Sequence, residues 1–497
     1  MKSCTWRLLL LFLCASGLFG CAPARPYRTA LVEPVSVSCP ADTAATLKRC
    51  SNITPETGPG YELHFVEFDD QGWAVSMPAG TAAQGGGKPP SQTDHLMKRL
   101  DKLLGDEQQY LNIILYVHGW KHDASDDDND VQRFRQILAS ARTLESSKNE
   151  KRRKVVGIYV GWRGKSWNLP SAIINLSFWS RKSAALRVSH GAVQELFARL
   201  RTVQRHYNSN LDSPDCAAPR EGRITTSGCR VRMLMIGHSF GAWILYSAIS
   251  GPLISTLNAE KDLDSRLSPG SEDAATNRTA SKKEEANRRP ADMIVLINPA
   301  FEAVRYQPLH QAAMNYKSKV VQPPLLVTIT SSADSATRVW FPAGRFINSI
   351  FERPVSSDEQ SYAMKRTHGH IELYQTHELV ALGNKACPGW QAPGPLSSSD
   401  SSVMLKNKAI EELNSARFFQ QNTEATGLLR QHWTREFCGG VTLSQMDPSD
   451  PNQNRDPNSL VWNIHTDDTL IKSHSDIMGD KFLEFVRQLY DDTELRR

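Results

Sequence analysis

The stretch MLMIGHSFGAWILYSAIS, residues 233–250, places Gly-His-Ser-Phe-Gly between an apolar run and a helical pattern. The preceding VRMLMI predicts a buried strand, and FGAWILYSAIS predicts the start of a helix. At such a turn the serine is held in strained backbone geometry, with its hydroxyl exposed at the end of the strand. Gly237 and Gly241 let strand and helix approach there, because neither residue carries a Cβ atom. We therefore predict that Ser239 is a nucleophile.

Short apolar runs recur on both sides of this stretch, separated by helical patterns. They are IILYV, VVGIYV, RMLMI, MIVLI, LLVTIT and LVWNI, which begin at residues 113, 155, 232, 293, 325 and 460. Continuous apolar strands that alternate with helices are typical of a mostly parallel sheet covered on both faces. Before them, YELHFVEF and WAVSM are joined by DDQG and predict a hairpin. The pattern as a whole predicts an α/β fold, doubly wound around a mostly parallel sheet.

A serine nucleophile at this kind of turn needs an acid and a histidine, in the chain order Ser, Asp/Glu, His. His474 lies in the loop between the last predicted strand and the last helix, so we predict that it is the general base. His465, at the end of that strand, is the alternative. Asp334 follows the run LLVTIT and is the predicted acid that orients His474, with Glu302 as its competitor.

An oxyanion-binding loop is predicted where ILYVHGW ends a strand in His118, Gly119 and Trp120. The backbone N–H groups of Trp120 and Phe240 are the predicted donors, and His118 is interpreted as a structural residue. The segments HGW, GHSFGA, ITSSAD and SHSDI together resemble the α/β-hydrolase superfamily, over roughly residues 110–495. The resemblance implies the α/β-hydrolase fold and an activity like that of bacterial esterases and lipases, but it implies no particular substrate.

The N-terminus predicts export. MKSCTWR is basic and a short apolar run follows it, which is typical of a secretory signal over residues 1–20. The segment LFGC, which ends at Cys21, resembles the lipobox of bacterial lipoproteins. That resemblance implies a lipid anchor on Cys21, and Ala22 after it implies the outer membrane, with the protein facing the periplasm. An ordinary cleaved signal with a free Cys21 is the alternative.

Composition divides the rest of the chain. Residues 21–60 are rich in Pro, Ala and Thr and predict a linker between the anchor and the body. Residues 61–497 are predicted to form the α/β-hydrolase domain. Within it, the charged segment 258–290 predicts a disordered insertion, and the long segment 346–459 before the last strand predicts a cap.

The cysteines predict disulfides. Without Cys21 and the two cysteines of the signal, six remain, which is an even number suited to an oxidising compartment. Sequential pairing is expected, and no C-x-x-C pair is present to indicate zinc. The three predicted pairs are Cys39 with Cys50, Cys216 with Cys229, and Cys387 with Cys438.

Three other clusters are given structural interpretations or left open. The acidic run DASDDDND, residues 123–130, lacks the central Gly and closing Glu of an EF-hand loop and predicts a solvated helix start. In THGHIE, alternation would place His368 and His370 on one strand face beside Glu372, and no metal is predicted there. The stretch WNLPSAIINLSFW, residues 167–179, is open between an acyl pocket, a membrane-facing segment and ordinary core.

Charge and motifs together define the predicted function. The net charge of +5 is small for 497 residues, and the sequence contains no long stripe of Lys and Arg. No nucleic-acid partner is therefore predicted. The sequence predicts an envelope serine hydrolase that cleaves lipid or small carboxylic esters through an acyl-enzyme, without a cofactor. The alternatives are an acyltransferase and a non-catalytic envelope lipoprotein that uses the fold as a binding scaffold.

Overall fold

The computed structural model describes fourteen segments of the chain. The signal segment 1–20, the predicted anchor Cys21 and residues 267–288 of the predicted insertion lie outside them. So do residues 167–177 of the aromatic stretch. The described residues are 25–31, 52–58, 60–77, 89–147, 152–165, 178–209, 225–226, 229–266, 289–317, 321–348, 358–381, 387–392, 401–448 and 456–496.

Every apolar run that predicts a strand forms one. The strands of the described residues are β1 (Ala30–Leu31), β2 (Ile53–Thr54), β3 (Glu56–Gly58), β4 (Tyr61–Phe68), β5 (Tyr110–Val117), β6 (Arg153–Trp162), β7 (Thr225–Thr226), β8 (Val231–His238), β9 (Met293–Ile297), β10 (Leu326–Ser331), β11 (His377–Ala381), β12 (Thr434–Phe437), β13 (Val441–Gln445), β14 (Val461–Thr466) and β15 (Leu495–Arg496).

Eleven of these strands form one sheet, in the order β12-β13-β11-β14-β10-β9-β8-β5-β6-β4-β3. The eight strands from β11 to β4 pair in parallel, and β3, β12 and β13 are antiparallel at the two edges. β4 is the first strand of the predicted hairpin, yet it pairs in parallel with β6. Its predicted hairpin partner WAVSM does not form a strand and makes two isolated bridges, one between Phe68 and Ala74 and one between Ser76 and Ser91. The sheet is therefore mostly parallel, as the sequence predicts.

Helices connect the parallel strands. They are α1 (Gln92–Leu104), α2 (Asn129–Ser147), α3 (Phe178–Ser189), α4 (Val193–Ser209), α5 (Phe240–Arg266), α6 (Ala303–Asn315), α7 (Phe341–Asn348), α8 (Asp358–Lys365), α9 (Ser401–Asn422) and α10 (Asp480–Asp491). A five-residue π-helix, Ala336–Trp340, precedes α7, and the 3₁₀-helices are His368–His370, Glu372–Tyr374 and Asp492–Glu494.

Two apolar cores cover the two faces of the sheet. One face packs against α1, α3, α4, α5 and α6, and the other packs against α2, α9 and α10. Because both faces are covered, the central strands β5, β6, β8, β9 and β10 are buried along nearly their whole length. This arrangement explains why their sequences are continuous apolar runs and not alternating ones.

The direction of chain progression changes between β5 and β8. From β5 the chain continues to β6 on one side, and β8 later takes the position on the other side of β5. In open α/β sheets, a crevice for ligands forms at such a point, outside the carboxyl ends of the strands. β5 and β8 pair with Val117 opposite Gly237, so the segments that follow these strands meet at this crevice.

Part of the predicted linker belongs to the body. Strand β3 joins the main sheet by pairing with β4, and β1 pairs with β2. Tyr27 donates from its backbone to Glu67 Oε2 over 2.9 Å and from its hydroxyl to Asp123 Oδ2 over 2.9 Å. The guanidinium of Arg28 is fully buried and bonds Glu56, 2.5 Å away. Two hydrogen bonds and a buried ion pair therefore connect residues 25–31 to the body.

The segment that predicts a cap supplies strands to the sheet. β11, β12 and β13 all come from it, and β11 pairs in parallel with the last central strand, β14. The hydrophobic residues Leu379, Val441 and Leu443 of these strands are buried in the core beside α9 and α10. This part of the segment therefore extends the sheet. α8 and the two short helices after it, in contrast, lie near the carboxyl ends of the strands.

One predicted disulfide lies within the described residues. Cys387 and Cys438 are bonded, which confirms that pair of the sequential set. Cys229 is also disulfide-bonded, and its predicted partner Cys216 lies outside the described residues. The predicted pair of Cys39 and Cys50 lies outside them as well.

Among the described helices, one is long and apolar enough to cross a membrane, over Phe240–Asn258. Its residues Trp243, Leu245 and Leu253 are buried in the core between the sheet and α3. Its apolar composition is accounted for by this packing, because a helix buried on most sides is apolar on most sides.

Candidate active site

Ser239 occupies a strained turn between β8 and α5. Its φ is 56°, in the left-handed region that residues with a side chain rarely adopt. The adjacent glycines are required by close packing. A Cβ atom on Gly237 would lie 2.7 Å from Ala242 Cα, and one on Gly241 would lie 2.2 Å from the carbonyl oxygen of Val117. The turn thus has the geometry that the sequence predicts.

The imidazole of His474 joins Ser239 to Asp334. Its Nε2 lies 2.7 Å from Ser239 Oγ, and its Nδ1 lies 2.9 Å from Asp334 Oδ2. Because an ionised carboxylate only accepts hydrogen bonds, Nδ1 donates to Asp334 and Nε2 accepts from the serine hydroxyl. The structure therefore brings together the predicted nucleophile, base and acid, although Asp334 and His474 are 140 residues apart in the chain.

Asp334 is a fully buried carboxylate with every acceptor direction used. Its Oδ1 accepts from the backbone N–H groups of Ala336 and Thr337, at 2.9 and 3.1 Å. Its Oδ2 accepts from His474 and from the Thr337 hydroxyl. Burial opposes ionisation, but His474 and the Thr337 donors outweigh it, so the pKa of Asp334 lies below its ordinary value. The carboxylate is therefore charged at neutral pH and can stabilise an imidazolium.

Thr337 connects this carboxylate to a second histidine. The Thr337 hydroxyl proton points to Asp334, so its oxygen accepts from His370 Nε2, 2.9 Å away. Burial lowers the pKa of His370 to about 4, which keeps its ring neutral at pH 7. Neither Thr337 nor His370 was predicted to act in the site. The only signal in the sequence is the position of Thr337 three residues after the acid, where its hydroxyl can turn back.

The loop after β5 passes directly beside the nucleophile. A Cβ atom on Gly119 would lie 2.9 Å from Ser239 Cβ, so the backbone approaches there because residue 119 is glycine. The next residue, Trp120, carries one predicted oxyanion donor, and Phe240, the first residue of α5, carries the other. An N–H group at the start of a helix also lies at the positive end of the helix dipole.

His118 holds that loop in place. Its Nε2 accepts from the backbone N–H of Trp162, at 3.1 Å, so its Nδ1 donates to the carbonyl oxygen of Gly119, at 2.9 Å. The ring stacks on Trp162, with the two planes 9° apart. Burial lowers the pKa of His118, which preserves this neutral tautomer. A Cβ on Gly164 would lie 2.6 Å from the Gly119 carbonyl oxygen. The block VGIYVGWRG therefore supports the loop after β5.

The backbone of the base is held by two residues that the prediction did not assign to this role. The carbonyl oxygen of His474 accepts from His238 Nε2, at 2.9 Å, and from Asn298 Nδ2, at 3.2 Å. The Asn298 side chain also accepts from the backbone N–H of Ser331, at 3.1 Å, and so links the base loop to the end of β10. Burial lowers the pKa of His238 far below its ordinary value, so its ring stays neutral.

Backbone strain is concentrated around this site. Four non-glycine residues of the described chain have positive φ, and Lys121, Ser239 and Asn298 are three of them. All three follow the carboxyl end of a central strand. Strained backbone persists only where the surrounding structure enforces it, and it is enriched at active sites.

An apolar wall borders the two predicted oxyanion donors. The ring of Phe178 lies 5.2 Å from that of Trp120 and 4.9 Å from that of Phe240, measured between centroids. Phe178 and Trp179 are the described end of the aromatic stretch whose role the sequence left open. Phe178 is partly buried and packs against the core beside Trp120 and Phe240.

Glu302, the competing acid, contacts cations and not a histidine. Lys182 forms a buried ion pair with it, and Arg305 and Arg345 approach it at 3.3 and 3.2 Å. Burial opposes the charge of Glu302, and Lys182 more than offsets this, so its pKa lies below the ordinary value. The structure therefore favours Asp334 as the acid.

The other histidines have structural contacts. His465 lies in β14, and Gln375 is 3.4 Å from its Nδ1. His368 stacks on Tyr306 at 4.2 Å, whereas His370 contacts Thr337. These two histidines belong to a 3₁₀-helix and not to one face of a strand, which corrects the alternation proposed from THGHIE.

The acidic run leads into α2, which begins at Asn129, as the sequence predicts, but the run is not solvated throughout, because Asp123 and Asp130 are buried. His122, Asp128 and Asp130 come close enough to share a cation. Their atoms already bond within the protein: Asp128 lies 3.1 Å from His122 Nδ1, and Asp130 accepts from the Tyr116 hydroxyl over 2.7 Å. The cluster is thus accounted for by an ion pair and a helix start.

Comparisons of this chain with protein-family models, curated proteins and solved structures found no match. The geometry of the site is therefore the basis on which a function is assigned.

Proposed function

We propose that the protein is an α/β-hydrolase-type serine esterase that cleaves carboxylic esters through an acyl-enzyme at the bacterial cell envelope. One observation supports this above all others. A hydrogen-bonded chain runs from Ser239 Oγ through His474 to the buried Asp334, and the serine stands on a strained turn at the carboxyl edge of the sheet. The same constellation on unrelated folds performs acyl transfer.

In this mechanism, Ser239 Oγ attacks the ester carbonyl while His474 Nε2 takes the hydroxyl proton. The charge that develops on the carbonyl oxygen is stabilised by the backbone N–H groups of Trp120 and Phe240. His474 then passes the proton to the departing alkoxide, and an acyl group remains on Ser239. Water attacks the acyl-enzyme and gives its proton to His474, which returns it to Ser239. Asp334 stabilises the imidazolium at each stage.

The experiment that tests this function is labelling with a fluorophosphonate probe, which reacts with activated serines. The mature chain with Cys21→Ser is compared with the same chain carrying Ser239→Ala. We expect labelling of the parent and none of the variant. If the parent is folded and disulfide-bonded but unlabelled, the hydrolase proposal fails and the binding-scaffold alternative replaces it.

Hydrolysis and acyl transfer differ in what accepts the acyl group. If the parent reacts with the probe, a fresh sample of unlabelled parent is given a series of p-nitrophenyl esters, with and without a primary alcohol as acceptor. Release of free acid in the presence of the alcohol supports the esterase, whereas an ester of the added alcohol as the main product identifies an acyltransferase. The length of the preferred acyl chain then separates a small-ester esterase from a lipase.

A further inference from the structure

Large apolar side chains are exposed mainly on one side of the described protein. Seven such residues have more than a third of their surface exposed: Trp73, Val304, Val339, Trp340, Tyr362, Leu405 and Leu413. Five of them belong to segments around the carboxyl ends of the parallel strands. The other two, Leu405 and Leu413, lie on α9. Exposed apolar side chains that cluster on one side indicate a surface that meets a partner.

The most exposed of these residues lie on both sides of the nucleophile. Trp73, 66% exposed, follows β4, whereas Val339 and Trp340, 54% and 71% exposed, follow β10. In the sheet order, β10 lies two strands from β8 in one direction, and β4 lies three strands from it in the other. With strands about 4.8 Å apart, the ends of β4 and β10, which these residues follow, lie roughly 14 and 10 Å to either side of the end of β8, where Ser239 lies.

The N-terminal end of the body lies at the same edge. Tyr27 is bonded to Asp123, only four residues after Gly119, which packs against Ser239. Cys21 precedes Tyr27 by six residues, and an extended chain of six residues spans at most about 20 Å. If Cys21 carries a lipid anchor, as its sequence predicts, Tyr27 remains within about 20 Å of the bilayer surface.

This short connection selects which edge of the sheet faces the bilayer. β4 and β5 each contain eight residues and are therefore about 26 Å long. If the amino ends of the strands faced the bilayer, Tyr27 would stand at least that far above its surface. Six residues cannot span this distance, whereas the carboxyl edge reaches the surface without strain.

We propose that the carboxyl edge of the sheet docks on the lipid bilayer, with Trp73 on one side of Ser239 and Val339 with Trp340 on the other. Tryptophan rings are favoured at the boundary between headgroups and hydrocarbon. The substrate is then an ester carried by that bilayer, and this second part rests on the proposed function. Exposed cations, such as Lys121 and Arg338, and exposed acids, such as Asp127 and Asp476, are both present at this edge. Because the two signs of charge are mixed, docking requires no anionic lipid.

The docking surface is tested first without an anchor. The mature chain with Cys21→Ser is sedimented with phosphatidylcholine vesicles, alone and with Val339→Ser and Trp340→Ser combined. We expect vesicle binding that the double variant weakens about tenfold or more, because it removes two apolar contacts with the bilayer. Neither residue belongs to the hydrogen-bonded chain of the site, so labelling of Ser239 by fluorophosphonate should persist.

The control is a pair of equally apolar changes on α9, Leu405→Ser with Leu413→Ser. Ser415 of this helix bonds Asp492, directly after α10, and Glu494 nearby bonds Arg232 at the start of β8. The helix therefore reaches the amino edge of the sheet, and its exposed leucines lie away from the proposed docking surface. We expect this control pair to bind vesicles as the parent does.

A second measurement detects docking by its effect on the rate of ester hydrolysis. A polyhistidine tag in place of Cys21 recruits the chain to vesicles that contain a nickel-chelating lipid and a long-chain ester. The Val339 and Trp340 changes should lower hydrolysis of this ester about tenfold but leave a water-soluble short ester nearly unaffected. A catalytic or folding defect would lower both rates together.

The outcomes separate this inference from the proposed function. If the variant Val339→Ser/Trp340→Ser and the control variant Leu405→Ser/Leu413→Ser behave equally in both measurements, that result overturns the docking surface. So does a concentration-dependent dimer in sedimentation velocity that only the docking pair abolishes, since the surface then binds a second copy of the chain. If Ser239 is not labelled at all, the proposed function fails, and vesicle sedimentation still decides whether this edge docks.

Discussion

Two buried carboxylates follow neighbouring strands, and they differ in what surrounds them. Glu302 comes after β9 and contacts Lys182, Arg305 and Arg345. Asp334 comes after β10 and contacts His474 and the neutral donors of the loop that follows it. Both side chains are buried, and the pKa of both is lowered. Burial and a perturbed pKa alone therefore do not distinguish a structural carboxylate from a catalytic one.

The difference is in the partner's chemistry. A guanidinium holds its charge throughout, and Lys182 is still mostly protonated at pH 7 although burial lowers its pKa to about 8, so the carboxylate beside these cations has a fixed role in stability. Histidine gains and loses a proton near neutral pH, so a carboxylate beside it can stabilise the positive charge that the ring gains during a reaction. His474 also has a second ring nitrogen in contact with Ser239, so a proton can move between the serine hydroxyl and the imidazole ring.

The largest effect is expected from Asp334→Asn. An amide at this position donates to His474 and favours the wrong tautomer of its ring, so kcat/KM should fall about 10⁴-fold. Ester hydrolysis by purified protein measures this, with circular dichroism as the control for folding. A loss of less than tenfold in a folded variant would show that Asp334 is not the orienting acid.

Glu302→Gln should instead affect stability. It leaves the buried Lys182 without a charged partner, so the free energy of unfolding should fall by about 3 kcal/mol, while kcat of the folded enzyme changes little. Urea unfolding and active-site titration measure the two quantities separately. A large loss of kcat at unchanged stability would contradict the comparison and make Glu302 part of the reaction.

A smaller effect is expected from Asn298→Asp, which places a carboxylate opposite the carbonyl oxygen of His474. Displacement of the base should lower kcat by about tenfold to a hundredfold with little change in KM. Asn463→Asp is the matched control, because Asn463 is equally buried and its Nδ2 also donates to backbone carbonyl groups, those of His368 and Tyr374. Equal kcat values for the two variants would exclude a positioning role of Asn298.

The smallest effect is a pH dependence of stability. The pKa of Asp334 is lower in the native state than the ordinary value of about 3.9, so the native state favours the ionised form. Its stabilising contribution is complete above pH 4 and is lost as the pH falls through the lower native pKa. Between pH 5 and pH 3, the free energy of unfolding should therefore decrease more in the parent than in Asp334→Asn. Parallel decreases in urea unfolding would contradict the lowered pKa.

The sequence predicts the parallel sheet because each buried strand is a continuous apolar run. It also predicts the residues that the site brings together, because Ser239, Asp334 and His474 each follow a strand and the carboxyl ends of parallel strands meet at one edge. The choice between Asp334 and Glu302 needed the structure. What separates them is the set of cations around Glu302, which comes from α3, α6 and α7 and has no pattern in the local sequence.

Other features escaped prediction because they depend on distant contacts. Asn298 and His238 are ordinary strand-end residues in the sequence, and only the position of the base loop gives them a role. The linker prediction over residues 21–60 rests on composition, whereas residues 25–31 are held by the carboxyl groups of Glu56 and Glu67, which lie further along the chain. The edge strands β12 and β13 are short and alternate weakly, so the segment containing them predicts an insertion.

The disulfide between Cys387 and Cys438 makes folding of the chain depend on oxidising conditions. It closes a loop of 51 residues that contains α9 and ends beside the edge strand β12. By loop closure, such a link stabilises the folded chain by about 4 kcal/mol, a large share of the stability of an ordinary domain. Chains made under reducing conditions lack this cross-link, so recombinant production should follow oxidation and folding together.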